Sequence, residues 1–145
     1  MMKFTRMTFL SVAATGLVLT ASASWAASTI KVVESGEGGG AMSMKLDPAT
    51  VPAGDVVFKV HNDALTEEHE MVVVKLKSAD EKIAVEAASN RVDEEKLESL
   101  GEVSELKPGE DGELKTTLQP GNYLVFCNLK GHFEAGMQTT LTVTP

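Results

Sequence analysis

Cys127, His132 and Met137 place a thiol, an imidazole and a thioether at C-x4-H-x4-M spacing, directly after an apolar run that ends in Val125-Phe126. A second imidazole, His69, opens another apolar run, Met71 to Val74. A thiolate with two imidazoles and a weak thioether suits copper, because Cu(I) favours sulfur and Cu(II) favours nitrogen. Ligands held between those preferences serve both oxidation states. Gly131 and Gly136 give the short loop the backbone freedom that three ligands in so few residues require.

Other uses of these residues fit less well. Structural zinc takes four strong nitrogen or sulfur ligands, and a thioether is not among them. A Cys-His nucleophile would want the thiol on an activating element such as a helix N-terminus, whereas Cys127 ends a predicted strand. No GxGxxG, Walker A, HExxH or EF-hand pattern is present, and a formal net charge of −8 argues against nucleic-acid binding. A lone Cys or a lone Met would read as core filler; grouped with His132 around a glycine-bearing loop, they read as ligands. His69 enters the set by elimination, since His61 shares strand parity with Val57 and Lys59 and so faces solvent.

The elements that must position these residues lie beyond a leader. Residues 1–26 have a basic start (Lys3, Arg6), an apolar stretch from Met7 to Thr20 and a small-residue end at Ser24-Trp25-Ala26, the pattern of a secretory signal cleaved after Ala26. The apolar stretch is too short for the roughly 20 residues that span a bilayer. Residues 27–145 form one expected domain, and losing Lys3 and Arg6 takes its formal charge from −8 to −10. Cys127 is the only cysteine, so no internal disulfide is possible in an oxidising compartment. Such a thiol is either buried and inert or held by something.

Short β-branched runs separated by Gly, Pro, Asp and Asn predict an all-β sandwich or barrel of about seven strands. The predicted strands are Thr29–Glu34, Ala41–Leu46, Val56–His61, His69–Lys77, Glu113–Leu118, Asn122–Cys127 and Gln138–Thr144. Residues 78–113 break the pattern with Ala, Glu, Lys and Leu, and Ser78 and Asn90 stand as possible caps, which predicts one or two short helices. This insertion holds 12 acidic and 4 basic residues, so most of the negative charge is local. It reads as a solvated face, with a docking surface for a basic partner as the sharper alternative.

Several segments resemble the cupredoxins, the plastocyanin/azurin family of small blue-copper proteins. They are Asp47-Pro48 through Gly54-Asp55, Asn62, His69, Pro120-Gly121 through Tyr123 to Cys127, and Gly131-His132 through Gly136-Met137, in the family's order. The resemblance implies a Greek-key β-sandwich with His69, Cys127, His132 and Met137 as ligands of one copper ion. The ligand-loop spacing looks more like the rusticyanin and auracyanin types than plastocyanin. Plastocyanin and azurin commonly carry Asn after the first ligand histidine; here Glu70 stands there.

The function expected from this resemblance is an exported one-electron carrier and not an enzyme. Its partners would be redox proteins, possible basic ones included, such as a cytochrome or a copper or haem oxidoreductase. Stable membrane insertion is not expected, and the domain is expected to be a monomer. His132 is expected at the solvent edge inside an apolar patch of Leu129, Phe133 and Ala135, rimmed by Lys130 and Glu134. The alternative is a copper-binding or copper-tolerance protein that uses Met42, Met44 and Met71 as extra thioethers.

Overall fold

The structure, a computed structural model, describes residues 26–145. The leader reading thus falls outside the described residues, apart from Ala26. Along the chain run β1 (Ser28–Ser35), β2 (Ser43–Asp47), β3 (Thr50–Pro52), β4 (Gly54–Asn62), β5 (His69–Lys75) and β6 (Val85–Glu86). They are followed by β7 (Arg91–Val92), β8 (Glu98–Leu106), β9 (Asp111–Leu118), β10 (Gly121–Phe126) and β11 (Gln138–Thr144). One sheet has the order β2-β1-β4-β9, the other β3-β11-β10-β5-β8, and β6 and β7 form a separate hairpin. The chain crosses between the two large sheets repeatedly, which is the Greek-key sandwich the resemblance implies.

Alternation builds the core between the sheets. Ile30 and Val32 of β1, Val56, Phe58 and Val60 of β4, Met71 and Val73 of β5, and Tyr123 and Val125 of β10 all point inward. Cys127 and Met137 belong to this same buried cluster, so the predicted ligand loop closes over one end of the core.

The insertion departs from expectation. No α-helix forms there, and the only helical element among the described residues is a 3-10 turn at Glu94–Lys96, capped by Asp93. Asn90 is not a helix cap but takes φ 52° in the turn between β6 and β7, where its N–H donates to the Glu86 carbonyl. The longest element of the segment is β8, an edge strand paired antiparallel to β5. Tertiary packing overrides the helix-forming composition because the far face of the β5/β10 pair is apolar. Val72, Val74, Leu124 and Phe126 make a second small core with Val92 and Phe133, and Ile83, Val85 and Leu97 pack against it. Four consecutive buried residues, Met71 to Val74, therefore serve two cores in alternation.

Candidate metal centre

The two imidazoles and the thiol come from separate elements. His69 opens β5, Cys127 follows the last residue of β10, and His132 sits in the turn-rich loop that leads to β11. The candidate ligand atoms of His69, Cys127 and His132 all lie within 4.8 Å of one another. His69 Nδ1 is 3.3 Å from His132 Nδ1, which is itself 3.4 Å from Cys127 Sγ. His69, Cys127 and Met137 are fully buried, while His132 keeps partial contact with solvent. The loop is closed at its base, where the Cys127 N–H donates to the Met137 carbonyl at 3.0 Å and the Met137 N–H donates to the His132 carbonyl at 3.0 Å. Gly136 takes φ 106°, and a Cβ there would press on the Met42 carbonyl at 2.9 Å.

Surrounding groups fix the orientation of these atoms. His69 Nε2 lies 3.1 Å from the Gly36 carbonyl, which can only accept, so Nε2 carries the proton and Nδ1 presents its lone pair to the site. The Glu70 N–H donates to Cys127 Sγ at 3.4 Å. Glu70 also braces the cysteine loop, since its Oε1 accepts from the Asn128 N–H at 3.0 Å. A carboxylate on the residue after His69 thus ties β5 to the segment that follows β10.

Asn128 then joins the ligand loop to the insertion. Its Oδ1 accepts from the Val92 N–H at 2.7 Å, and its Nδ2 donates to the Val92 carbonyl at 2.9 Å and to Glu94 Oε1 at 2.6 Å. One residue before His132, the Gly131 N–H donates to the Asn90 carbonyl at 2.9 Å. The insertion therefore grips the loop beside both of its strongest candidate ligands.

Burial sets the protonation of the site. It lowers the pKa of both His69 and His132, which keeps the imidazoles neutral and able to ligate at neutral pH. Burial also pushes the Cys127 thiol up to about 12. A bound cation opposes that effect by stabilising the thiolate. The donor set fits a soft, redox-active metal.

All three imidazole and thiol donors predicted from sequence come together, with Met137 in the loop beside them. His61 stays apart, half-exposed and 2.8 Å from Asp111. Phe133 does not join a surface patch at His132. It turns inward and packs edge-on against Phe126, with ring centroids 5.4 Å apart. Ala135 and Lys130, both expected beside His132, do line the surface cavity with it, together with Gly38 to Gly40 and Glu67. Sequence reasoning also passed over Glu34, a fully buried carboxyl on β1 that has the same inward parity as Ile30 and Val32.

The fold and the cluster define a class: β-sandwiches that hold a redox-active metal at one end through a cysteine loop. Residues 30–144 match the copper binding proteins of the plastocyanin/azurin family, and the chain belongs to that family. Copper is its metal. Auracyanin-B of Chloroflexus aurantiacus is 51% identical over 41 residues, 28% of this chain and 17% of that protein. The structure of auracyanin A, described as a "blue" copper protein from the same bacterium, superposes with TM-score 0.57 at 25% identity, covering 82% of this chain and 100% of the other. Rusticyanin from Thiobacillus ferrooxidans shares the fold with TM-score 0.58 at 16% identity, over 83% of this chain and 80% of that one.

Proposed function

We propose that the chain is an exported one-electron carrier in which His69, Cys127, His132 and Met137 hold a single copper ion. The observation that carries this reading is the convergence of two imidazole Nδ1 atoms on a buried thiol, with one ring already oriented by Gly36. When bound, copper supplies a couple that takes up and gives back one electron. The protein's own part is to keep the imidazoles neutral and all the donors fixed, so that little has to move as the charge changes. Four protein donors leave no open position for a substrate, so no enzymatic turnover is proposed. His132, the partly exposed member of the set, is the proposed point of electron exchange with a redox protein.

Export rests on the leader pattern at residues 1–26 and on a lone cysteine that a metal would protect. Among the described residues, no helix is long and apolar enough to cross a membrane. Met42, Met44 and Met71 are all buried in the main core, which supports the carrier over a copper-handling role with extra thioether sites.

Replacing the thiol tests the assignment directly. Cys127→Ser is expected to abolish the intense thiolate-to-copper absorption of the oxidised form, while Met137→Leu is expected to retain copper and shift its potential. Retained colour after Cys127→Ser would sink the site.

A further inference from the structure

Glu34 stands out among the groups that the carrier reading leaves unused. Its side chain is fully buried between the sheets, and neither Oε1 nor Oε2 has a hydrogen-bond partner. In the sheet it lies opposite Met44 of β2 and Asn62 of β4. Asn62 is already committed, donating to the Glu67 and Leu106 carbonyls and accepting from the Ala64 N–H. The ionisable groups that act on Glu34 from the opposite sheet are Glu70 on β5 and the Cys127 thiol after β10. Two residues along, just past the end of β1, Gly36 holds the His69 ring, so this short stretch of chain links the carboxyl to the metal centre.

We propose that Glu34 is a redox-linked proton site, taking up one proton when the centre is reduced and releasing it when the centre is oxidised. The inference rests on the copper-carrier reading. A redox partner supplies the electron, water supplies the proton, and an O–H bond forms on the Glu34 carboxylate; oxidation breaks that bond and returns the proton to solvent.

Charge gives the direction. Two neutral imidazoles and one thiolate around Cu(II) leave a net charge of +1, and around Cu(I) they leave zero. A buried carboxylate without hydrogen bonds is unfavourable unless a positive charge is near. The oxidised centre offers that charge and the reduced centre withdraws it. With the site metal-free and also neutral, burial, reinforced by Glu70, pushes the Glu34 carboxyl up to about 8, so the coupling falls in a range that ordinary buffers reach.

The test is spectroelectrochemistry of the copper-loaded protein across pH. The equilibrium constant for reduction is expected to fall up to tenfold per pH unit within the titration window, about 59 mV for a one-electron couple. Glu34→Gln is expected to give a flat potential over that window. The reduced-minus-oxidised infrared difference spectrum is expected to gain a protonated-carboxyl C=O band that is missing in Glu34→Gln. A flat potential in the unaltered protein, a slope that survives in Glu34→Gln, or absence of that band would each overturn the proposal. If the amide variant fails to fold, Glu34→Asp must move the midpoint of the pH dependence, and an unmoved midpoint overturns the assignment. Absence of the blue band altogether removes the carrier reading and this proposal with it; a blue, reversibly reducible protein with a pH-independent potential removes the proposal alone.

Discussion

Cys127 and Glu34 are both buried acids, and burial favours the neutral form of each. For Glu34 this has a consequence without any metal, because its pKa is raised from an ordinary 4.5 to about 8. Between those values the folded chain holds a proton that the unfolded chain has released. The stability that Glu34 contributes is therefore fully present below about pH 4.5 and declines as pH rises toward 8, by up to about 1.4 kcal/mol per pH unit. Below the ordinary histidine value of 6.5 the lowered pKa values of His69 and His132 act in the opposite sense, so denaturant titrations of the metal-free protein between about pH 6.5 and 8 are expected to show that decline, and Glu34→Gln is expected to remove it. The ligands were legible in sequence because soft and borderline donors seldom gather within one loop without a metal. Glu34 was equally legible in principle, as the third inward position after Ile30 and Val32. It was missed because a charged residue at a predicted strand end reads as the place where the strand meets water.

At the level of elements, strand alternation was readable and the insertion was not. β8 pairs with β5 through two bulges, one between the partners of His69 and Met71 and one between those of Val73 and Val74. Each bulge adds a residue to β8, so its inward positions fall at Leu100, Val103 and Leu106, three apart. That spacing imitates a helix in a segment already rich in Glu and Leu. β3 escaped notice for a different reason, since three residues ending in Pro52 carry too little pattern. The packing makes two predictions. Asn128→Ala strands the Val92 N–H and carbonyl and the Glu94 carboxylate, and is expected to destabilise the metal-free protein by about 2–4 kcal/mol. Thermal denaturation reads that loss, and faster amide exchange over residues 91–96 locates it in the insertion. Gly112→Ala puts a methyl group into Val103 and Leu106, where β9 passes close beneath β8, and is expected to cost about 1–3 kcal/mol by the same denaturation measurement.

For the whole molecule the open matter is the acidity. The formal charge of −8 is concentrated in the insertion, yet the structure divides its carboxylates by role. Asp93 caps the 3-10 turn and pairs with Lys96, and Glu94 holds Asn128. Neutralising either would loosen the ligand loop and alter electron transfer for reasons unrelated to docking. Glu95, Glu98 and Glu105 are exposed and make no such contacts, so they isolate the long-range field. A docking role predicts that the rate of electron exchange with a basic redox protein falls steeply with salt, as the screening length shrinks from about 10 Å at 0.1 M to about 3 Å at 1 M. The triple substitution of Glu95, Glu98 and Glu105 to Gln is expected to flatten that dependence while leaving the copper absorption and potential close to the unaltered protein. Stopped-flow rates over a salt series decide the matter: a rate that ignores salt in the unaltered protein makes the acidic face a device for solvation, and electron exchange at His132 would then depend on its immediate surroundings alone.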